Sequence, residues 1–279
     1  MRCGFVIVIA AAVSLGLSLP AAAAPPSPAS YDCHARISSL RPAPPPSPGD
    51  NNPWQCTTPT NHKLTPALHW FRDSLEYCRL ATSVYTAALR AAYRRAVRYG
   101  PKGWIVFMDA DETVLDNSLY ERERERCGEG FSQPTWDKWI KAGMAAAVPG
   151  AAAFTQTVHA LGGLVAIVTN REEADDPITR ANLKAVGIWF DYEIGLPKGE
   201  NGDKTQRWRN AVAMLGQEVG GSPKPVMWLG DQVTDFGILD AQGQIVRAMS
   251  EHDAGKYIGT RYFVIPNPVY GGWSKNPEN

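Results

Sequence analysis

The chain has 279 residues, 44% of them hydrophobic, with 28 Lys+Arg against 28 Asp+Glu and so a formal net charge of zero. That length suits one large domain, or a domain with a smaller appendage. Balanced charge gives no general attraction to a nucleic-acid polymer or an anionic membrane, which would need a concentrated basic patch; the one candidate, Arg90 to Arg98, reads as the solvated face of a helix.

Residues 1–23 read as a signal peptide rather than part of the fold. Arg2 supplies the positive start, residues 5–19 the apolar run, and residues 20–24 a small-residue zone that fits A-x-A, with cleavage after Ala23. The run is short for a bilayer span. No cysteine follows it closely enough for lipid attachment, so an exported protein, periplasmic or secreted and without a stable membrane anchor, is expected. Loss of the signal discards Cys3 and leaves Cys33, Cys56, Cys78 and Cys127. Four cysteines allow three disulfide connectivities, of which Cys33–Cys56 with Cys78–Cys127 is preferred. With no C-x-x-C pair, zinc is not expected.

Residues 24–62 form a Pro-rich, Cys-containing segment in which little core is expected, the run Pro42 to Gly49 being stiff and solvated. A helical segment at 63–101 follows. Within it Phe71, Leu75, Cys78, Ala81, Tyr85 and Leu89 recur at steps of three or four, predicting one helix over 68–98 that stops at Gly100-Pro101. Residues 102–274 then alternate apolar runs with helical patterns, which argues for an α/β fold with a parallel sheet and crossover helices. Strands are predicted at 104–108, 164–168, 226–229, 244–248 and 262–265, their unbroken apolar character suiting burial on both faces. Helices are predicted at 151–161, at 177–186 with Asp176 as N-cap, and from Lys204 to about residue 219 capped by Asp203. Between 117 and 150 the pattern weakens into a small helical insert, packed near the site and against the Phe71 helix. Its alternating charges, Glu121 to Arg126, read as a solvated face.

The chemistry gathers where three predicted strands end. Asp109 and Asp111 follow the first, Thr169-Asn170-Arg171 the second, and Gly230-Asp231 with Asp235 the third; Lys204 opens the helix between the second and third. Ligands bind beyond the carboxyl ends of strands in open α/β sheets. Asp pairs after a strand are often only turn or cap residues, but four such groups in this order exceed what turn chemistry requires. One carboxylate, Asp109, can attack phosphorus, while Asp111 gives its proton to the leaving oxygen and later takes one from water. Mg²⁺ offsets the repulsion between carboxylate and phosphate and prefers oxygen ligands: Asp109, Asp231, the Asp111 carbonyl, and Asp235 through a water. Lys204 and the Thr169 hydroxyl would grip phosphate oxygens, with Asn170 and Ala110 offering main-chain N–H groups. Lys204 is preferred to Lys198 because it opens a capped helix, whose amino end attracts anions. The proton-donor role predicts a raised Asp111 pKa and an acidic optimum.

The stretches IVFMDADETVLDNSLY, VAIVTNRE, the Lys204 helix start and WLGDQVTDFG resemble the four motifs of the haloacid-dehalogenase (HAD) superfamily of phosphatases. GFSQPTWDKW, AVPGA and VIPNPVYGGW narrow the resemblance to the class C, lipoprotein-type bacterial acid phosphatases and 5′-nucleotidases, from about Trp70 to Trp273. The resemblance implies a Rossmann-like parallel sheet with a small α-helical domain, Mg²⁺-dependent hydrolysis of small-molecule phosphomonoesters, and often a homodimer. It also implies substrate contacts at Arg171 and an aromatic hold on a nucleoside base by Trp136 and Tyr270; lobe packing or a turn position explains these rings almost as well. A phosphotransferase using the same aspartyl phosphate, or a non-catalytic phosphate-binding or storage protein, are the competing readings.

Overall fold

The structure, a computed structural model, describes residues 27–58, 62–253 and 255–276; the expected signal peptide lies outside them. In chain order the elements are α1 (Cys33–Ser39), α2 (Pro66–Asp73), α3 (Leu75–Tyr99), β1 (Trp104–Met108), β2 (Leu115–Asp116), α4 (Ser118–Arg126), α5 (Gln133–Ala142), β3 (Ala146–Ala147), α6 (Ala151–Ala160), β4 (Leu164–Glu172), α7 (Asp176–Ala185), β5 (Tyr192–Leu196), α8 (Thr205–Val219), β6 (Lys224–Gly230), β7 (Gly237–Leu239), β8 (Ile245–Ala248) and β9 (Tyr262–Val264).

The main sheet runs β5-β4-β1-β6-β9, with every pairing parallel. β1 is central, and all five of its residues are buried. Successive strand side chains face opposite ways. Val106 and Met108 therefore join the core under α3 and α6, while Ile105 and Phe107 join the other core with Trp208 of α8 and Trp228 of β6. The chain leaves β1 on one side through β4 and β5, then returns to the other through β6 and β9. The crevice where strand order reverses lies at the carboxyl end of β1.

The predicted helix over 68–98 is two helices. Ser74 breaks it, and its hydroxyl accepts from the Tyr77 N–H at 3.0 Å to cap α3. The predicted sheet strand at 244–248 is instead β8, paired antiparallel with β7 outside the sheet, and only Ile245 of it is buried. Its place belongs to β5, whose burial alternates because it is an edge strand, so a search for unbroken apolar runs misses it. The expected caps shift by one residue: α7 starts at Asp176, and α8 starts at Thr205, with Asp203 Oδ1 accepting from the Thr205 N–H at 2.7 Å.

The disulfides are Cys33–Cys78 and Cys56–Cys127, with Cα separations of 5.8 and 5.4 Å, which corrects the expected pairing of sequence neighbours. The reason is that the N-terminal segment lies across α3 and α4 rather than forming a unit of its own. That segment also supplies core, contrary to expectation. Trp54 is buried edge-on against Trp139 with ring centroids 4.7 Å apart, and buried Arg36 pairs with Asp116 at 2.7 Å. The helical insert packs on α2, where Thr65 donates its N–H to Glu125 at 2.8 Å and Arg72 donates to the Ser118 hydroxyl at 3.3 Å. Its alternating charges are not simply solvated. Glu123 and Arg124 are buried, because Glu123 faces the N-terminal segment and pairs with Arg122 at 2.5 Å, while Arg124 donates to the Gly130 carbonyl at 3.2 Å.

Candidate active site

Asp109 leaves β1 at the sheet's carboxyl end, its N–H donating to the Leu229 carbonyl of β6 at 3.1 Å. Asp231 follows β6 directly, and Asp235 sits one short turn later. Gly230 makes this approach feasible: a Cβ there would lie 2.3 Å from the Asp235 Cβ. One oxygen each of Asp109, Asp231 and Asp235 lies within 4.8 Å of the others. Three hard oxygen donors at this spacing suit a divalent cation of the magnesium or calcium type.

The electrostatics point the same way. Burial pushes the Asp109 carboxyl up to about 7, with Asp235 and Asp111 adding to the effect and Lys204 opposing it. Burial also raises Asp231 well above the usual carboxylate range, reinforced by Asp235 and Asp109. Asp231 Oδ2 is held by the Asn267 amide at 2.9 Å. The group therefore carries more negative charge than its surroundings balance, which a cation would relieve.

Lys204 is buried at the start of α8, donating to Asp109 and, at 2.7 Å, to Asp235. Burial works against its charge, yet the two aspartates override this and raise its pKa. Lys198 does not reach the cavity.

Asp111 stands apart from this group. Its Oδ1 accepts from Arg171 Nη2 at 2.7 Å, Arg171 Nε at 3.1 Å and Asn117 Nδ2 at 2.8 Å; its Oδ2 accepts only a 3.2 Å bond from Arg171 Nε. Asn117 is fixed in turn by Trp139, whose indole N–H donates to Asn117 Oδ1 at 2.8 Å. Between the two aspartates and this lobe, Glu112 adopts a left-handed backbone at φ 53°, which costs a side-chain-bearing residue about 1–2 kcal/mol. Its buried carboxylate repays that strain by accepting from the Asn117 N–H at 3.0 Å and from the Tyr270 hydroxyl.

These residues surround a cavity of about 540 Å³, within the range of small-molecule sites. Asp109, Asp111, Asn170, Arg171, Lys204, Asp231, Asp235, Trp136 and Tyr270 all line it. Ala110 and Thr169 are fully buried and do not line it. The Thr169 hydroxyl accepts from the Arg171 N–H at 3.2 Å, and the Thr169 carbonyl from Arg207. Arg171, expected on substrate, lines the cavity while also pairing with Asp111 and packing over the Trp136 ring at 5.7 Å.

The sequence reading missed several residues here. Glu121, assigned there to a solvated face, lines the cavity with Phe131. Burial pushes its carboxyl up to about 7, with Glu125 adding and Arg124 opposing. Arg207, which donates to Asn170 Oδ1 at 2.5 Å, carries no motif signal and is found only in three dimensions, whereas Asn267 lies within the VIPNPVYGGW stretch but its contact with Asp231 is visible only in the fold.

Residues 47–273 match the family described as HAD superfamily, subfamily IIIB (acid phosphatase). The chain is 28% identical over 184 residues to acid phosphatase 1 of Solanum lycopersicum and 30% identical over 185 residues to the stem 28 kDa glycoprotein of Glycine max; each match covers 64% of this chain and 63% of the relative. Among solved structures it is similar to the class C acid phosphatase of Bacillus anthracis with tungstate bound, at 25% identity and a TM-score of 0.61, over 75% of this chain and 85% of that one. A second structure of that enzyme superposes with a TM-score of 0.60 at 24% identity.

Proposed function

The chain belongs to the acid phosphatases of HAD subfamily IIIB, and on that premise we propose that it is an exported, Mg²⁺-dependent hydrolase of small phosphomonoesters that works through a phosphoryl group carried on Asp109. What carries this reading is one cavity in which Asp109 meets two further aspartates and Lys204 on one side, while Asp111 is held separately on the other. Two carboxylates with different surroundings can take different roles.

An Asp109 oxygen attacks phosphorus, forming a P–O bond as the ester P–O bond breaks and its electron pair leaves with the alcohol oxygen. Asp111 protonates that oxygen. Oδ2 is the atom for this proton, since Oδ1 is saturated by Arg171 and Asn117. Water then attacks the phosphoaspartate and gives its proton to Asp111, releasing phosphate and restoring Asp109.

Lys204 grips a phosphate oxygen, and Arg171 with Asn117 keeps Asp111 aimed. A dianion approaching a carboxylate meets roughly 4 kcal/mol of repulsion per charge pair at about 4 Å in a moderately polar site. A cation held by Asp109, Asp231, Asp235 and the Asp111 carbonyl would supply the positive charge that offsets it. The similar Bacillus anthracis enzyme has been solved with tungstate bound, a tetrahedral oxyanion like phosphate, which supports a phosphoryl substrate for this chain. Trp136 and Tyr270 line the cavity and supply aromatic surface that a nucleoside leaving group would meet.

The test is hydrolysis of a chromogenic phosphomonoester with Mg²⁺ and with chelator. Turnover should require the metal, and Asp109→Asn and Asp111→Asn should each reduce it at least about a thousandfold. Retained hydrolysis in Asp109→Asn removes the covalent route. A nucleoside monophosphate should lose more kcat/KM than glycerol phosphate in Trp136→Ala; equal losses remove the base contact.

A further inference from the structure

Arg90, Arg94 and Arg98 are exposed, as expected of a solvated face, but the fold also brings Arg95 and Arg98 to the edge of a cleft. At the end of α3, Arg95 and Arg98 meet Lys224, which opens β6, and Arg261, which immediately precedes β9. With Tyr99 and the turn after β7 they line a cavity of about 360 Å³. It lies at the amino ends of β6 and β9, the opposite end of the sheet from Asp109.

Among the described residues, none of Arg94, Arg95, Arg98, Lys224 and Arg261 takes part in an ion pair. The one carboxylate among the described residues lining the cleft, Asp240, turns its Oδ1 to the N–H groups of Gln242 and Gln244 at 2.9 and 2.8 Å, within its own turn. Arg95 Nε is buried without a hydrogen-bond partner, and its Nη2 reaches only the Thr260 carbonyl at 3.5 Å. Burial weakens the hold of Arg95 on its proton, and Arg261, Arg94 and Arg98 weaken it further, with only Tyr99 opposing. Aromatic faces position two of the guanidinium groups: Arg98 lies over Tyr99 at 5.3 Å and Arg261 over Tyr257 at 4.8 Å. A guanidinium held by its face keeps its N–H edge for a ligand.

We propose that this cleft is a second anion site, separate from the catalytic cavity, and that it takes a soluble oligophosphate of two or three linked phosphoryl groups. Three guanidinium groups and one ammonium against the single Asp240 carboxylate leave a net charge of +3, which exceeds that of a single phosphate and suits a short oligophosphate. The cavity volume suits a small molecule, and guanidinium forks bind phosphoryl oxygens in pairs. The site does not depend on the hydrolytic reading.

The test is calorimetric titration of tripolyphosphate, without divalent metal, into the Asp109→Asn protein. That protein should bind it, more weakly as salt rises. Affinity should fall about tenfold or more when Arg98→Gln and Arg261→Gln are added, and less with Arg98→Lys and Arg261→Lys. Adding Lys204→Met should leave it unchanged. In the otherwise wild-type chain, both arginine pairs should keep full activity on a chromogenic monoester, which shows that they fold. The proposal is overturned by absence of millimolar binding, by binding that the Gln pair leaves intact, or by binding lost with Lys204→Met. Arginine-dependent adsorption to phosphatidylglycerol vesicles without tripolyphosphate binding would overturn it in favour of a membrane surface.

Discussion

Glu193→Gln should stabilise the protein at alkaline pH and leave it nearly unchanged at acidic pH. Glu193 lies on β5 with its side chain fully buried, beside Asp176 at the start of α7. The shared partner, Arg180, approaches Glu193 Oε2 with Nε at 2.7 Å and Asp176 Oδ2 with Nη2 at 3.3 Å, yet neither Glu193 oxygen gains an aligned hydrogen bond. One cation facing two carboxylates cannot sustain both charges. Burial, with Asp176 adding and Arg180 opposing, pushes Glu193 from 4.5 up to about 7. The folded protein thus holds this proton more tightly than the unfolded chain does. The associated stability is fully present below about pH 4.5 and is lost as pH rises to about 7. That interval corresponds to roughly 3 kcal/mol at about 1.4 kcal/mol per pH unit. Glutamine cannot ionise and escapes the loss. Urea unfolding at pH 4 and pH 8 measures it: the variant should match the wild type at pH 4 and exceed it by roughly 3 kcal/mol at pH 8. Equal pH dependence in the two proteins would refute the reasoning.

Trp139→Phe removes the N–H that orients Asn117 and, through it, Asp111; kcat should fall about tenfold with KM little changed, consistent with loss of one charge-relevant hydrogen bond. An unaltered kcat would detach Trp139 from the site. Non-reducing peptide mapping should recover Cys33 linked to Cys78 and Cys56 linked to Cys127. Loops of 45 and 71 residues imply roughly 4 kcal/mol of stabilisation per bridge, so reduction should lower Tm markedly; an unchanged Tm would count against that. Because Glu121 is raised to about 7 by burial, it gains charge as pH passes neutrality and should repel anionic substrate. KM should therefore rise above pH 7 in the wild type, and Glu121→Gln should flatten that rise; parallel profiles would dismiss a role for Glu121.

Much of the site is legible in the sequence because it sits at strand ends. An apolar run followed by Asp109-Ala110-Asp111 fixes both a buried strand and the point where its carboxylates emerge, whatever the rest of the chain does. Asp231 and Asp235 after β6, and Lys204 at the start of α8, follow from the same local logic. What surrounds them depends on contacts distant in sequence, and no local pattern encodes those.

Arg171, expected among the substrate contacts, lines the cavity, and its pairing with Asp111, 60 positions away, is seen only in the fold. Cys33 finds Cys78 rather than Cys56 because the N-terminal segment crosses α3 and α4. Arg95 and Arg261 become neighbours only when β9 closes the sheet beside β6. Local propensity and periodicity set which residues end a strand or open a helix. Which groups then share a cavity is decided by packing, because burying both faces of one sheet forces distant segments together, and their charges must be balanced where they meet.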